Sequence, residues 1–267
     1  MLTYWILFSF PAWFALKSRP QLTLRRSCCS DYWYLMFFML VLIIGLRHEV
    51  GGDWSSYLRN LESTGYHTFF GLIFLGDPGY EFLNWIASRV GGGIYFVNTL
   101  CAIFFTWGLV VFCRRQPRAW LALTVSVPYL VIVVAMGYSR QAVAIGFTML
   151  GIVALVDQKL LRFALFIVIA ATFHKSAVIL MPLAILSATR NKVFYFLLVG
   201  LFTGILYVLF LQDSVEALQR NYLESEYQSS GAAIRIFMNA IPASLFLLFR
   251  QRFWLSRKEK GFWKWMS

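Results

Sequence analysis

Apolar runs return at least nine times along this chain, at residues 1–16, 32–46, 94–113, 119–136, 141–156, 160–173, 176–188, 193–211 and 236–249. A helix needs ~20 apolar residues to cross a bilayer, with ~17–25 typical. Several of these runs are shorter and must borrow interfacial residues or tilt little. A segment in lipid has no water to satisfy its backbone, so helices are the default solution. The pattern predicts an all-α, polytopic membrane protein of about nine transmembrane helices, with residues 1–267 forming a single membrane domain. Composition agrees. Apolar residues make up 60% of the chain and charged residues 13%, against ~25% charged in soluble domains.

The net charge of +12 raises the possibility of a nucleic-acid partner, but its distribution argues otherwise. With the N-terminus outside and the C-terminus cytoplasmic, the inner loops hold Lys17, Arg19, Arg25, Arg26, Arg114, Arg115, Arg118, Lys159, Arg162, Arg190 and Lys192. The inner tail adds Arg250, Arg252, Arg257, Lys258, Lys260 and Lys264. Every loop then obeys the positive-inside rule. Joining 160–188 into one helix would reverse everything after it and expose the basic tail, which supports the span count. The basic surplus is explained by topology and needs no nucleic acid.

Two long loops, 47–93 and 212–234, fall outside in this arrangement. The first carries a patch, Phe69–Leu75, too short to span. Asp77-Pro78-Gly79 is a turn signal. After it Tyr80, Leu83, Ile86, Ala87 and Val90 recur at helical spacing, predicting a short amphipathic helix on the outer surface. The four cysteines show no zinc-site spacing and read as free thiols. The first apolar run lacks a basic flank and a cleavage site and reads as a retained helix. Gly200-x-x-x-Gly204 predicts close helix packing. No inverted repeat of the kind common in secondary transporters is visible.

The polar residues of the outer side need explaining. Arg47 follows the second run as an anchor or a ligand, and Glu49, Gly51, Gly52 and Asp53 make a shaped loop after it. Asp53 either pairs with Arg47 or is free to act as a base. Arg140 opens the fifth run as anchor or ligand. His174 and Lys175 are held at membrane depth by a tight turn between two apolar runs. Histidine is the side chain best matched to proton transfer near neutral pH. Arg235 and Asn239 are one helical turn apart on the ninth run, and polar groups in a span generally face the bundle or a wet cavity. Arginines hold phosphate or pyrophosphate through planar, charge-assisted hydrogen bonds. The set therefore predicts an outer-face pocket for a phosphorylated lipid.

Five stretches carry a resemblance: "GLRHEVGGDWSSY", "DPGYEFLNWIA", "GYSRQAVAIGF", "RFALFIVIAATFHKSAVILMPLAIL" and "SSGAAIRIFMNAIP", in this order across residues 45–243. They resemble the EpsG branch of the Wzy-type bacterial polysaccharide polymerases. The resemblance implies a glycosyltransferase of the bacterial inner membrane that joins undecaprenyl-diphosphate-linked oligosaccharide repeats at its outer face. The product class would be O-antigen, capsule or exopolysaccharide. A flippase and a chain-length regulator of the same pathway are the implied partners. Arg47, Arg140 and Arg235 would then hold the pyrophosphate, with Asn239, Glu49 and Lys175 lining the site. His174 is the first candidate for the base and Asp53 the alternative. No cofactor and no metal are expected, since no acidic cluster suits a hard cation. Similar proteins continue through further helices, so this chain is expected to be short at its C-terminus. Two other readings stay open: a flippase or exporter of lipid-linked oligosaccharide, and a non-catalytic subunit of an assembly complex.

Overall fold

The computed structural model describes residues 2–18, 30–66, 71, 76–181 and 232–249, with isolated positions 197, 200, 201, 204 and 252. All regular elements among them are helical. The chain divides into two compact units, residues 1–154 with 161–177, and residues 155–160 with 178–267. In the first unit lie α1 (Leu2–Lys17), α2 (Ser30–Gly45), α3 (Trp54–Thr64), α4 (Pro78–Val90), α5 (Gly93–Arg114) and α6 (Ala119–Ser126). Helix α6 runs on as a π-helical segment, Val127–Ala135. Most of α7 (Ser139–Val156) and of α8 (Leu160–Phe173) follows. The second unit contains α9 (Ala232–Phe249).

Helices α5 and α7 are long and apolar enough to cross a membrane by length and composition, and shorter apolar helices accompany them. Large apolar side chains such as Trp5, Trp13, Phe38 and Leu42 are exposed on α1 and α2. Such a surface suits lipid, because soluble monomers rarely expose extended apolar patches. This is a helical membrane protein.

Two packed clusters form the core of the first unit. One joins α1, α2, α5, α6 and the π-helical segment. At its centre Trp33 stacks on Trp120 with ring centroids 4.1 Å apart, and Phe14 also stacks on Trp120 at 4.7 Å. The second cluster brings Tyr57 of α3 and Tyr80, Leu83 and Ala87 of α4 onto α5, α7 and α8. Van der Waals packing is the main attraction between helices in lipid, so close approach depends on small residues. Gly108 of α5 and Gly146 of α7 supply it. A Cβ on Gly146 would lie 2.8 Å from the Phe105 Cα, and one on Gly108 would collide with the Gly146 backbone. Gly200 and Gly204, expected to do this work, are exposed, and a Cβ on either would meet nothing within 4 Å among the described residues.

Other departures from the sequence reading are local. The amphipathic helix after Asp77-Pro78-Gly79 is present as α4, and it buries Tyr80, Leu83 and Ala87 as expected. It also buries Glu81 and Asn84, with Val90 exposed. Helix α3, in the same loop, was not anticipated. Its apolar positions Trp54, Tyr57 and Leu61 fall on one face, but the stretch is short and mostly polar. The run 176–188 opens as a 3₁₀ helix, Lys175–Leu180, and its remainder lies outside the described residues. So do most of the run 193–211 and all but the last residues of the loop 212–234.

Candidate functional site

The chain between α2 and α3 is a plug. Arg47 leaves α2 and turns inward, with 4% of its surface exposed. Its guanidinium donates to the carbonyl of Ala135, the last residue of the π-helical segment. It also donates to Ser139 Oγ at 2.6 Å and to Asn98 Oδ1 at 3.5 Å. Ser139 in turn donates to Asn98 at 3.0 Å. Helix C-termini leave carbonyls without intrahelical partners and carry partial negative charge, so a guanidinium there satisfies both. One side chain thus ties α2 to α5 and to both arms of the 136–139 hairpin. The loop after it lies directly on that hairpin. Gly51, at φ +100°, has no room for a Cβ, which would sit 2.7 Å from the Gly137 carbonyl oxygen.

Arg140 follows Ser139 and takes the opposite role. Its Nη1 donates to Asp77 Oδ2 at 3.0 Å, with about a third of its side chain exposed. The guanidinium rests against the rings of Tyr57 and Tyr80, at 5.6 and 5.7 Å from their centroids. It also hydrogen-bonds the Tyr57 hydroxyl. These two tyrosines belong to the apolar cluster that fixes α3 and α4 on the bundle.

Asp77 stands at the N-cap of α4 but makes no capping hydrogen bond. Pro78 opens the helix without losing a needed donor, and the carboxylate is left free to turn to Arg140. Gly79 allows the approach to α8. A Cβ there would press on Thr172 and Phe173. His174 and Lys175 follow at once, and the charges of both act on Asp77. Burial pushes the Asp77 carboxyl above its usual range, against the pull of Arg140, His174 and Lys175. Burial likewise holds the His174 imidazole below its usual range; Asp77 pulls it up and Arg140 pushes it further down. Burial pushes the Tyr57 and Tyr80 phenols up. The His174 shift favours the neutral imidazole, the form that can accept a proton.

Of the residues selected from sequence, Arg140, His174 and Lys175 converge, and Asp77 completes the group. Asp77 had been read as a turn residue; the missed signal is a cap-type aspartate whose side chain does not cap. Arg47 bonds Ser139, the neighbour of Arg140, but is spent on the hairpin. No ion pair joins it to Asp53 among the described residues. Asp53 acts electrostatically on Tyr57, and Glu49 lies at the surface, 3.8 Å from His48. Arg235 and Asn239 lie on α9 of the second unit, and their side chains are outside the described residues. Buried polar groups also bind α3 to α4: Glu81 Oε2 is 2.6 Å from the Thr64 hydroxyl and accepts from Asn84 at 3.2 Å.

One comparison with known proteins agrees with the stretches quoted above. No curated protein and no solved structure matches this chain. The model of the EpsG family matches residues 32–267. The match takes in most of α2, all of α3 through α9 and every residue of the Arg140 group, and the chain belongs to the EpsG family.

Proposed function

We propose that this protein is a membrane glycosyltransferase that polymerises undecaprenyl-diphosphate-linked oligosaccharide repeats at the outer face of the bacterial cytoplasmic membrane. The observation that carries the reading is the convergence of Arg140, Asp77, His174 and Lys175 from three separate parts of the chain. About nine spans with the N-terminus outside would put this group on the outer side.

The step has a defined balance. The acceptor is a sugar hydroxyl on one lipid-linked repeat. The donor is the chain on a second carrier, joined through its anomeric carbon to the diphosphate. His174 takes the proton of the acceptor hydroxyl. The acceptor oxygen bonds to the anomeric carbon, the bond from that carbon to the diphosphate oxygen breaks, and the carrier diphosphate leaves with the electron pair. Arg140 and Lys175 stabilise the charge on that leaving group, a role worth ~10²–10³ in rate per donor in other enzymes. Asp77 holds Arg140 in place until the anion binds. Arg47 acts as a positioning residue by fixing the hairpin that carries Arg140. Asp53 is the second candidate for the base. The step uses no metal or cofactor.

A flippase would need polar groups along a path through the bundle. The buried charged residues among those described, Arg47 and Glu81, both lie outside the apolar helices, in or beside the 47–93 loop. Asn98, Thr106 and Thr124 add buried uncharged polar groups inside α5 and α6, but no buried charge lies within the apolar helices among the described residues, which favours the transferase. The test is the lipid-linked glycan ladder in cells lacking their own polymerase. Wild type should restore long chains, and Arg140→Ala or His174→Ala at matched membrane levels should stall at one repeat. Normal ladders in both variants would refute the site.

A further inference from the structure

Beside the plug is a second constellation that the transfer step does not use. His48, Trp54 and Tyr95 meet where α2 ends and α5 begins. His48 Nδ1 and the Tyr95 hydroxyl are hydrogen-bonded at 2.7 Å. The two ring planes are 26° apart and their centroids 6.2 Å apart. That separation is too wide for face-to-face contact, so the rings lie edge to edge as one nearly flat plate, joined by the hydrogen bond. Trp54 stands upright beside it, at 78° to His48 with centroids 5.7 Å apart. The His48 side chain is 66% exposed and Tyr95 is 41% exposed, so the plate is open.

The loop geometry holds the plate in this position. Arg47 is locked into the bundle, which fixes its neighbour. Glu49 has φ 51°, a left-handed conformation that L-residues rarely adopt and that tends to occur at functional sites. This brings the Glu49 carboxylate 3.8 Å from His48 Nε2.

We infer that His48, Trp54 and Tyr95 form a sugar subsite that holds a pyranose ring of the glycan, with Glu49 accepting from its hydroxyls; this rests on the transferase reading above. A pyranose offers a flat face of C–H bonds that packs on an aromatic plate, and a rim of hydroxyls that pairs with a carboxylate. Flat aromatics give large contact area with little side-chain entropy to lose. The competing occupant is a lipid headgroup, since Trp and Tyr often anchor at membrane interfaces. The exposed Glu49 carboxylate and nearby Asp53 disfavour an anionic headgroup, and a neutral sugar meets no such repulsion.

The test uses the full chain in detergent micelles and, as probe, the polysaccharide of the host strain cleaved from its carrier by mild acid. Lacking diphosphate, this probe reads the sugar contact alone. Wild type should bind it. Trp54→Ala and Tyr95→Leu should weaken binding at least about tenfold, a loss of the size seen when one base loses its aromatic partner. Tyr95→Leu keeps the apolar bulk that Ala would remove, and Tyr95→Phe, which keeps the ring, should stay within about threefold of wild type. Binding with no ladder in cells would sink the polymerase reading and leave the subsite standing. Unchanged binding in Trp54→Ala and Tyr95→Leu, or no binding by wild type, would overturn the subsite and leave the polymerase reading untouched.

Discussion

Arg47 and Arg140 occupy the same kind of sequence position, each at the edge of an apolar run, yet their surroundings are opposite. Arg47 is buried and committed to Ala135, Ser139 and Asn98. Arg140, next to one of those partners, is a third exposed and held by the Asp77 carboxylate and the two tyrosines Tyr57 and Tyr80. What separates them is what the neighbouring backbone leaves unsatisfied. The π-helical segment ends at Ala135 with carbonyls needing donors, and Arg47 is the group that reaches them. Arg140 begins a new helix, whose N-terminus offers no acceptors. Its charge is balanced instead by Asp77, an ion pair that the proposed diphosphate would replace.

That contrast can be broken experimentally. The largest effect should come from Arg140→Ala and His174→Ala: a loss of polymerisation of roughly 10²-fold or more, read from the glycan ladder, with membrane levels unchanged. Arg47→Ala should fail in the other way. It leaves buried acceptors unpaired, at about 1–3 kcal/mol each, so the protein should lose thermal stability and abundance. Activity per molecule should fall less than in Arg140→Ala. Equal stability of the two variants would erase the distinction.

The comparison also has a pH signature. Because burial depresses His174 below its ordinary value of about 6.5, the neutral base should persist through neutrality, and the rate should fall only on the acid side of that value. The stability sign is the same: the unfolded chain binds the proton more readily, so His174 contributes stability above its unfolded value that is lost as pH falls toward the folded one. Asp77→Asn removes the group that pulls His174 up. Its acid limb should therefore move to lower pH, with the rate down about tenfold as Arg140 loses its partner. An unshifted limb would separate Asp77 from His174. The smallest effect is expected from Asp53→Asn, within about twofold of wild type; a collapse there would hand the base role to Asp53.

The helices were legible in the sequence because apolar runs and turn signals are local. So was α4, through the spacing of Tyr80, Leu83 and Ala87 after a proline turn. Helix α3 was not, because its stability comes from packing Tyr57 onto Tyr80 rather than from its own pattern. Arg140, His174 and Lys175 stood out as charges at the edges of apolar runs. Asp77 did not, since aspartate before Pro-Gly has an ordinary explanation as a cap. The commitment of Arg47 depended on a π-helical segment, whose altered carbonyl positions leave no mark in residue periodicity. Gly108 and Gly146 lie on different helices, so their contact was invisible to a search for spacing along one.

The central claim is tested most directly by reconstituting the purified protein in liposomes with the lipid-linked single repeat as sole substrate. Chain length and free carrier diphosphate would be measured together. The account predicts one carrier diphosphate released for each repeat joined, with both signals lost in His174→Ala. Movement of repeats across the bilayer with no chain growth and no release of carrier would contradict it and make the protein a transporter.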